Sequence, residues 1–106
     1  FISTSTDPQV QDFVKRYEEK YGTAPSQNSA RAYDATMILL NAIKEAGSTD
    51  AEAIQEAIRN TKDYDGLQGN ISINPETGEY EGDVMIVRAT ENNDWEYLDS
   101  ASTVTQ

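Results

Sequence analysis

The sequence predicts an α+β chain: three helices followed by two to four short strands. Three observations carry this. Residues 29–46 contain neither Pro nor Gly and are rich in the helix formers Ala, Leu, Met, Lys and Glu. Apolar residues recur at helical spacing on both sides of that stretch, from Val10 to Tyr21 and from Ile54 to Thr61. Beyond Asp63 the pattern changes to β-branched residues separated by turn signals.

Residues 1–6 read as an extended lead-in. Asp7 has the chemistry of an N-cap and Pro8 that of a first helical residue. Val10, Phe13, Val14, Tyr17 and Tyr21 then form one apolar stripe, and Gly22 ends the helix. After a short loop, Ser26 stands where it can cap the central helix. In that helix Tyr33, Met37, Leu40 and Lys44 follow one line. Ala35, Ile38, Leu39, Ala42, Ile43 and Ala46 widen the apolar surface, so the helix is expected to be buried on more than one side. Gly47 is its expected left-handed C-cap. Thr49 and Glu52 have capping-box spacing at the start of a third, shorter helix through Thr61.

Residues 63–66 look like a turn. Residues 69–73 have β character, and Asn74-Pro75-Glu76-Thr77-Gly78 is a turn signal. Val84-Met85-Ile86-Val87 reads as a buried strand, with Trp95-Glu96-Tyr97-Leu98 as its hairpin partner and 99–106 as a polar tail. Two or three short strands cover the central helix poorly; a larger parallel sheet encoded upstream would cover it better.

The 106 residues fit one small domain or a piece of a larger protein, and the apolar opening Phe1-Ile2 looks cut from something longer. With 19 acidic and 8 basic residues the net charge is -11, which argues against nucleic acid and against anionic membrane surfaces. Absence of Cys and His excludes thiol chemistry, Ser-His-Asp triads and His-zinc sites within this chain. No apolar run is long enough to cross a membrane as a helix. No catalytic residue, metal ligand set or cofactor is therefore expected. Asp63, Asp65, Glu76, Glu79, Glu81 and Asp83 lack EF-hand spacing and read as a solvated acidic surface. Glu18-Glu19 sits on the polar face of a helix, the glycosylation triplet at Asn70 lies in an expected strand, and Trp95 reads as cross-strand packing.

An ordered set of segments nonetheless resembles one family. It runs from Phe13-Val-Lys-Arg-Tyr-Glu-Glu-Lys-Tyr-Gly22 through Pro25, Ala32-Tyr33-Asp34-Ala35, Ala42-Ile43-Lys44-Glu45-Ala46-Gly47 and Ile54-Gln-Glu-Ala-Ile58. It ends at Gly66-Leu-Gln-Gly69-Asn-Ile-Ser-Ile73. This resembles the C-terminal third of type I periplasmic binding proteins, the branched-chain amino acid receptors of ABC importers. The resemblance implies an α/β parent fold of two Rossmann-like lobes joined by three crossovers. It makes residues 1–62 the helical part of the first lobe, 63–82 a crossover region, and 83–106 a second-lobe hairpin and tail.

It also implies a protein that does no chemistry. Such a receptor holds an amino acid or similar small molecule and presents it to an ABC permease, in a periplasmic or extracellular location, with lipid anchoring of a precursor as an option. Alternatives are a ligand sensor of the same fold or a free-standing interaction domain. The resemblance points to Asn28 as a ligand contact, at the cleft-facing start of the central helix. Ser29 and the free N–H groups of that turn could meet a carboxylate. The other reading of Asn28 is a solvated residue near a helix start. Tyr33 is expected in the core with its hydroxyl tied, and Asp34 in a local hydrogen bond. Alone, the chain is expected to self-associate and to bind ligand weakly or not at all.

Overall fold

Each helix begins where a side-chain oxygen can accept from the first turn. The computed structural model describes residues 1–102. Helix α1 (Pro8–Tyr21) starts with the Gln9 N–H donating to Asp7 Oδ1 at 2.8 Å and ends at Gly22, φ 71°. Helix α2 (Gln27–Ala46) begins two residues before the predicted stretch. A reciprocal box caps it: the Ser29 N–H donates to the Ser26 hydroxyl, and the Ser26 N–H to the Ser29 hydroxyl. Gly47, φ 62°, closes it.

Helix α3 (Ala51–Arg59) corrects the expected cap. Asp50, not Thr49, is the N-cap, its Oδ2 accepting from the Ala53 N–H at 3.1 Å. A carboxylate is a stronger acceptor than a hydroxyl, and its charge favours the positive helix end.

The strands form a four-stranded antiparallel meander in chain order: β1 (Tyr64–Gly66), β2 (Gly69–Ile73), β3 (Tyr80–Ala89) and β4 (Trp95–Ser102). Residues 64–66, expected as a turn, are a strand because they pair with 69–71. Strand β4 extends through 99–102, where a polar tail was expected; residues 103–106 of that tail lie outside the described residues. The β3–β4 register shifts between Ile86 and Val87, which face Asp99 and Tyr97 and leave Leu98 as the extra residue. Strand β3 changes partner along its length. Residues 80–82 pair with β2 and residues 83–89 with β4.

Phe13, Ala30 and Leu67 are buried together, with Phe1, Tyr17 and Tyr33 packed around them. Phe13 sits 5.0 Å from the Tyr33 ring and 6.1 Å, edge-on, from the Phe1 ring. The Tyr33 hydroxyl, with Asp12, raises the Arg16 guanidinium above its ordinary pKa. Asp34 departs from expectation. It is 1% exposed, and its carboxylate accepts from the Leu67 and Gln68 backbone N–H groups at 2.9 and 3.2 Å and from Gln68 Nε2 at 3.3 Å. The bond is long-range, pinning the β1–β2 turn to the middle of α2.

Much apolar surface stays uncovered. Leu39 and Leu40 on α2 are exposed, and Val84 and Ile86, expected in a buried strand, are each about half exposed (49% and 50%). The radius of gyration is 15.5 Å, against roughly 13 Å for a compact domain of this length. The central helix thus lacks the covering its two-sided apolar pattern calls for.

Replacing Asp34 with Ala strands the Leu67 and Gln68 N–H groups. Asp34→Ala is expected to cost about 2–4 kcal/mol of stability in chemical denaturation, whereas Asp12→Ala, at an exposed ion pair, stays within about 1 kcal/mol.

Candidate functional site

The first turns of α2, the β1–β2 turn and the β3–β4 hairpin enclose an open hollow of about 660 Å³. Gln27 and Arg31 enter it from α2, one helical turn apart. Gln68 enters from the turn that Asp34 holds, and Tyr80, Met85 and Trp95 from the two long strands. A second hollow, about 850 Å³, lies against the lead-in and shares Gln68, Asp83, Met85 and Trp95 as walls. The Thr4 hydroxyl donates to the Trp95 carbonyl at 2.9 Å and ties the lead-in to β4 there.

Polar groups in the walls are of two kinds. Some are already engaged: Asp83 Oδ2 accepts from the Asn70 N–H at 3.1 Å. Others point to the hollow without a fixed partner. The chain has four arginines. Arg16 pairs with Asp12, Arg88 with Glu96, and Arg59 donates to the Pro75 and Glu76 carbonyls. Arg31 makes no ion pair or hydrogen bond among the described residues.

Tyr80 folds back over Gly82. A Cβ on Gly82 would stand 2.3 Å from the Tyr80 hydroxyl and 2.8 Å from the Asn70 carbonyl, so the ring needs glycine there. Burial raises the Tyr80 phenol above its ordinary pKa, the Asp83 and Asp34 charges add to this, and Arg31 partly opposes it. The phenol is therefore a neutral hydrogen-bond donor at physiological pH. Tyr64 is raised as well, chiefly by burial and then by Asp34, Tyr33 and Asp65.

Neither of the two residues expected at the site lines a hollow; both belong to the first turn of α2. Asn28 is exposed on the first turn of α2, between Gln27 and Arg31 in sequence. Ser29 is half-buried; its hydroxyl takes part in the helix cap and donates to the Tyr17 hydroxyl at 3.3 Å. Sequence reasoning did not single out Gln27, Arg31, Gln68 or Tyr80, and it read Trp95 as packing. The i, i+4 spacing of Gln27 and Arg31 was the available signal. The acidic residues between 63 and 83 are spread over turns and strand ends, and among the described residues no group of three or more His, Cys, Asp or Glu could hold a metal ion. No helix among them is long and apolar enough to cross a membrane.

Helices laid beside a meander, with a hollow between α2 and the long hairpin, are what one part of a two-lobed binding protein presents, and the comparisons agree. The sequence model described as "Periplasmic binding protein" matches residues 1–94. The chain belongs to the periplasmic binding protein family, and its solved neighbours have the type I fold of that family.

Among its relatives, a Leu/Ile/Val-binding protein homolog from Brucella suis is 33% identical over 58 residues, which is 54% of this chain and 14% of that protein. A solved leucine binding protein from Thermotoga maritima is 37% identical with a TM-score of 0.74, over 92% of this chain and 27% of that one. The solute binding protein of an ABC transporter from Rhodopseudomonas palustris, solved with 3,4-dihydroxy benzoic acid, is 20% identical. Its TM-score of 0.83, over 99% of this chain and 30% of that one, speaks to the fold. The chain thus spans less than a third of the length of these relatives.

Tyrosine absorbance offers a check on the electrostatics. Tyr64 and Tyr80 bind their protons more tightly folded than unfolded, so their stabilisation is complete below pH 10 and is lost as the pH climbs past it. Titration at 295 nm should show tyrosines ionising above the ordinary value, and Tyr80→Phe should remove one of them.

Proposed function

We propose that this chain is part of a solute receptor that captures an amino acid or a similar small organic molecule and delivers it to an ABC permease. The receptor works outside the cytoplasm, in the periplasm or at the cell exterior, and carries out no chemical conversion. The observation that carries this reading is the family match over residues 1–94. The hollow agrees with it: about 660 Å³, with apolar walls from Met85, Val87 and Trp95 and convergent polar groups from Gln27 and Gln68, the build of a small-molecule site. The names of the Brucella and Thermotoga relatives favour an aliphatic amino acid among the candidate ligands.

In this reading the boundary between lobes falls between Gly82 and Asp83, where β3 exchanges β2 for β4 as its partner. Residues 1–62 then serve the first lobe, 63–82 cross over, and 83–106 serve the second. Asn28 offers an exposed amide to the ligand, and Ser29 shapes the helix start that presents it. The exposed apolar residues of α2 and β3 pack against the remaining lobes in the intact protein.

Native mass spectrometry of the intact protein purified from cells should reveal a retained small molecule. Calorimetry against the twenty amino acids and small carboxylates should then give saturable one-to-one binding, which Asn28→Ala weakens several-fold. No saturable binding across that panel would remove the reading. The 106 residues produced alone should self-associate through their uncovered faces, as concentration-dependent sedimentation would show; a monomer at all concentrations would speak against those faces being packing surfaces.

A further inference from the structure

We propose that Arg31 is the residue that receives a carboxylate of the bound molecule, with the Tyr80 hydroxyl as the second donor, and that the ligand is a small organic acid with an apolar body. The proposal rests on the solute-receptor reading and deepens it, because it names the ligand group this part of the site takes.

Three observations support the assignment. Arg31 and Tyr80 line the same hollow, from α2 and from β3 respectively. The Arg31 charge partly opposes the upward shift of the Tyr80 phenol. Arg31 is also the arginine left without an ion pair or hydrogen bond among the described residues, in a chain carrying 19 acidic side chains. Its five N–H donors are not committed to any described residue. A planar guanidinium matches a carboxylate in two parallel hydrogen bonds. The neutral phenol adds a donor and brings no competing charge.

The rest of the wall fixes the class. Val84, Met85, Val87 and Trp95, which line the hollow from the hairpin, are apolar. Asp83 is the carboxylate in the wall, and one of its oxygens is already held by the Asn70 N–H. The hollow therefore recognises an anionic head beside an apolar body more fully than it recognises an ammonium group.

The test compares acids with their neutral amides on the intact protein. Binding of L-leucine, L-leucinamide, phenylacetate and phenylacetamide is measured by calorimetry and by Trp95 fluorescence, in the wild type and in Arg31→Ala, Arg31→Lys and Tyr80→Phe. The expected result is a preference for each acid over its amide. Arg31→Ala should cut acid binding roughly 10- to 100-fold and erase that preference. Arg31→Lys should restore part of it, and Tyr80→Phe should cost less. Arg31 makes no hydrogen bond among the described residues, so circular dichroism and melting should match the wild type. Acid binding and acid preference unchanged in Arg31→Ala would overturn the assignment while leaving the receptor reading intact. A wild type that binds none of the four probes overturns the assignment too, and if the wider amino acid and carboxylate panel also fails, the receptor reading falls with it.

Discussion

The Asp34 carboxylate is the fixed point of the structure. It is almost wholly removed from solvent and is stabilised by three N–H donors, two of them backbone groups of one turn. A buried carboxylate without such partners would cost several kcal/mol. Here the donors need it equally. Leu67-Gln68 is a two-residue hairpin loop without the Asn-Gly or Asp-Gly chemistry that makes such loops form by themselves. Asp34 supplies the acceptor that the turn lacks, and Leu67 anchors it by entering the core beside Phe13 and Ala30. The fit is close: a Cβ on Gly66 would lie 2.8 Å from Asp34 Oδ2. From this point the register passes outward, through β1 to β2 and β2 to β3, so the same bond sets where Gln68 and Tyr80 face α2.

What the sequence disclosed follows from the range of each interaction. The caps at Asp7, Ser26, Gly22 and Gly47 are made within four residues of where they act, and they are legible. The start of α3 was read one residue early because Thr49 and Asp50 compete for the same role and spacing alone does not rank them. Strand β1 has only three residues, and its state is decided by its partner at 69–71 rather than by its own composition. Asp34 is the clearest case. Its acidity suggested a local bond, but its partners lie 33 and 34 residues on, and no periodicity encodes that distance. The wall residues of the hollow were missed for the same reason, since Gln27, Gln68 and Trp95 meet only through the fold.

The apolar residues that remain exposed were misread in a different way. Leu40 and Val84 carry the pattern of burial without the burial. Pattern reports what a segment was selected to touch, and these 106 residues span only 27–30% of the solved relatives. Among the described residues α2 is not covered on two sides as its pattern leads one to expect.

The hollow lies astride a division in the way the parts are joined. On one side stand α2 and the Asp34-held turn, and on the other the β3–β4 hairpin. Among the described residues the links between the sides include the continuous backbone of β3 across Gly82 and Asp83, the Asp83 bond to the Asn70 N–H, and the Thr4 bond to the Trp95 carbonyl. A molecule that reaches Arg31 on one side and Trp95 on the other gains full contact only when both sides are correctly spaced. It therefore favours that spacing by the difference in its affinity for the two arrangements, and by no more than that. In the proposed receptor, the polar groups on the helix side and the apolar residues on the hairpin side would make binding and closure draw on the same contacts.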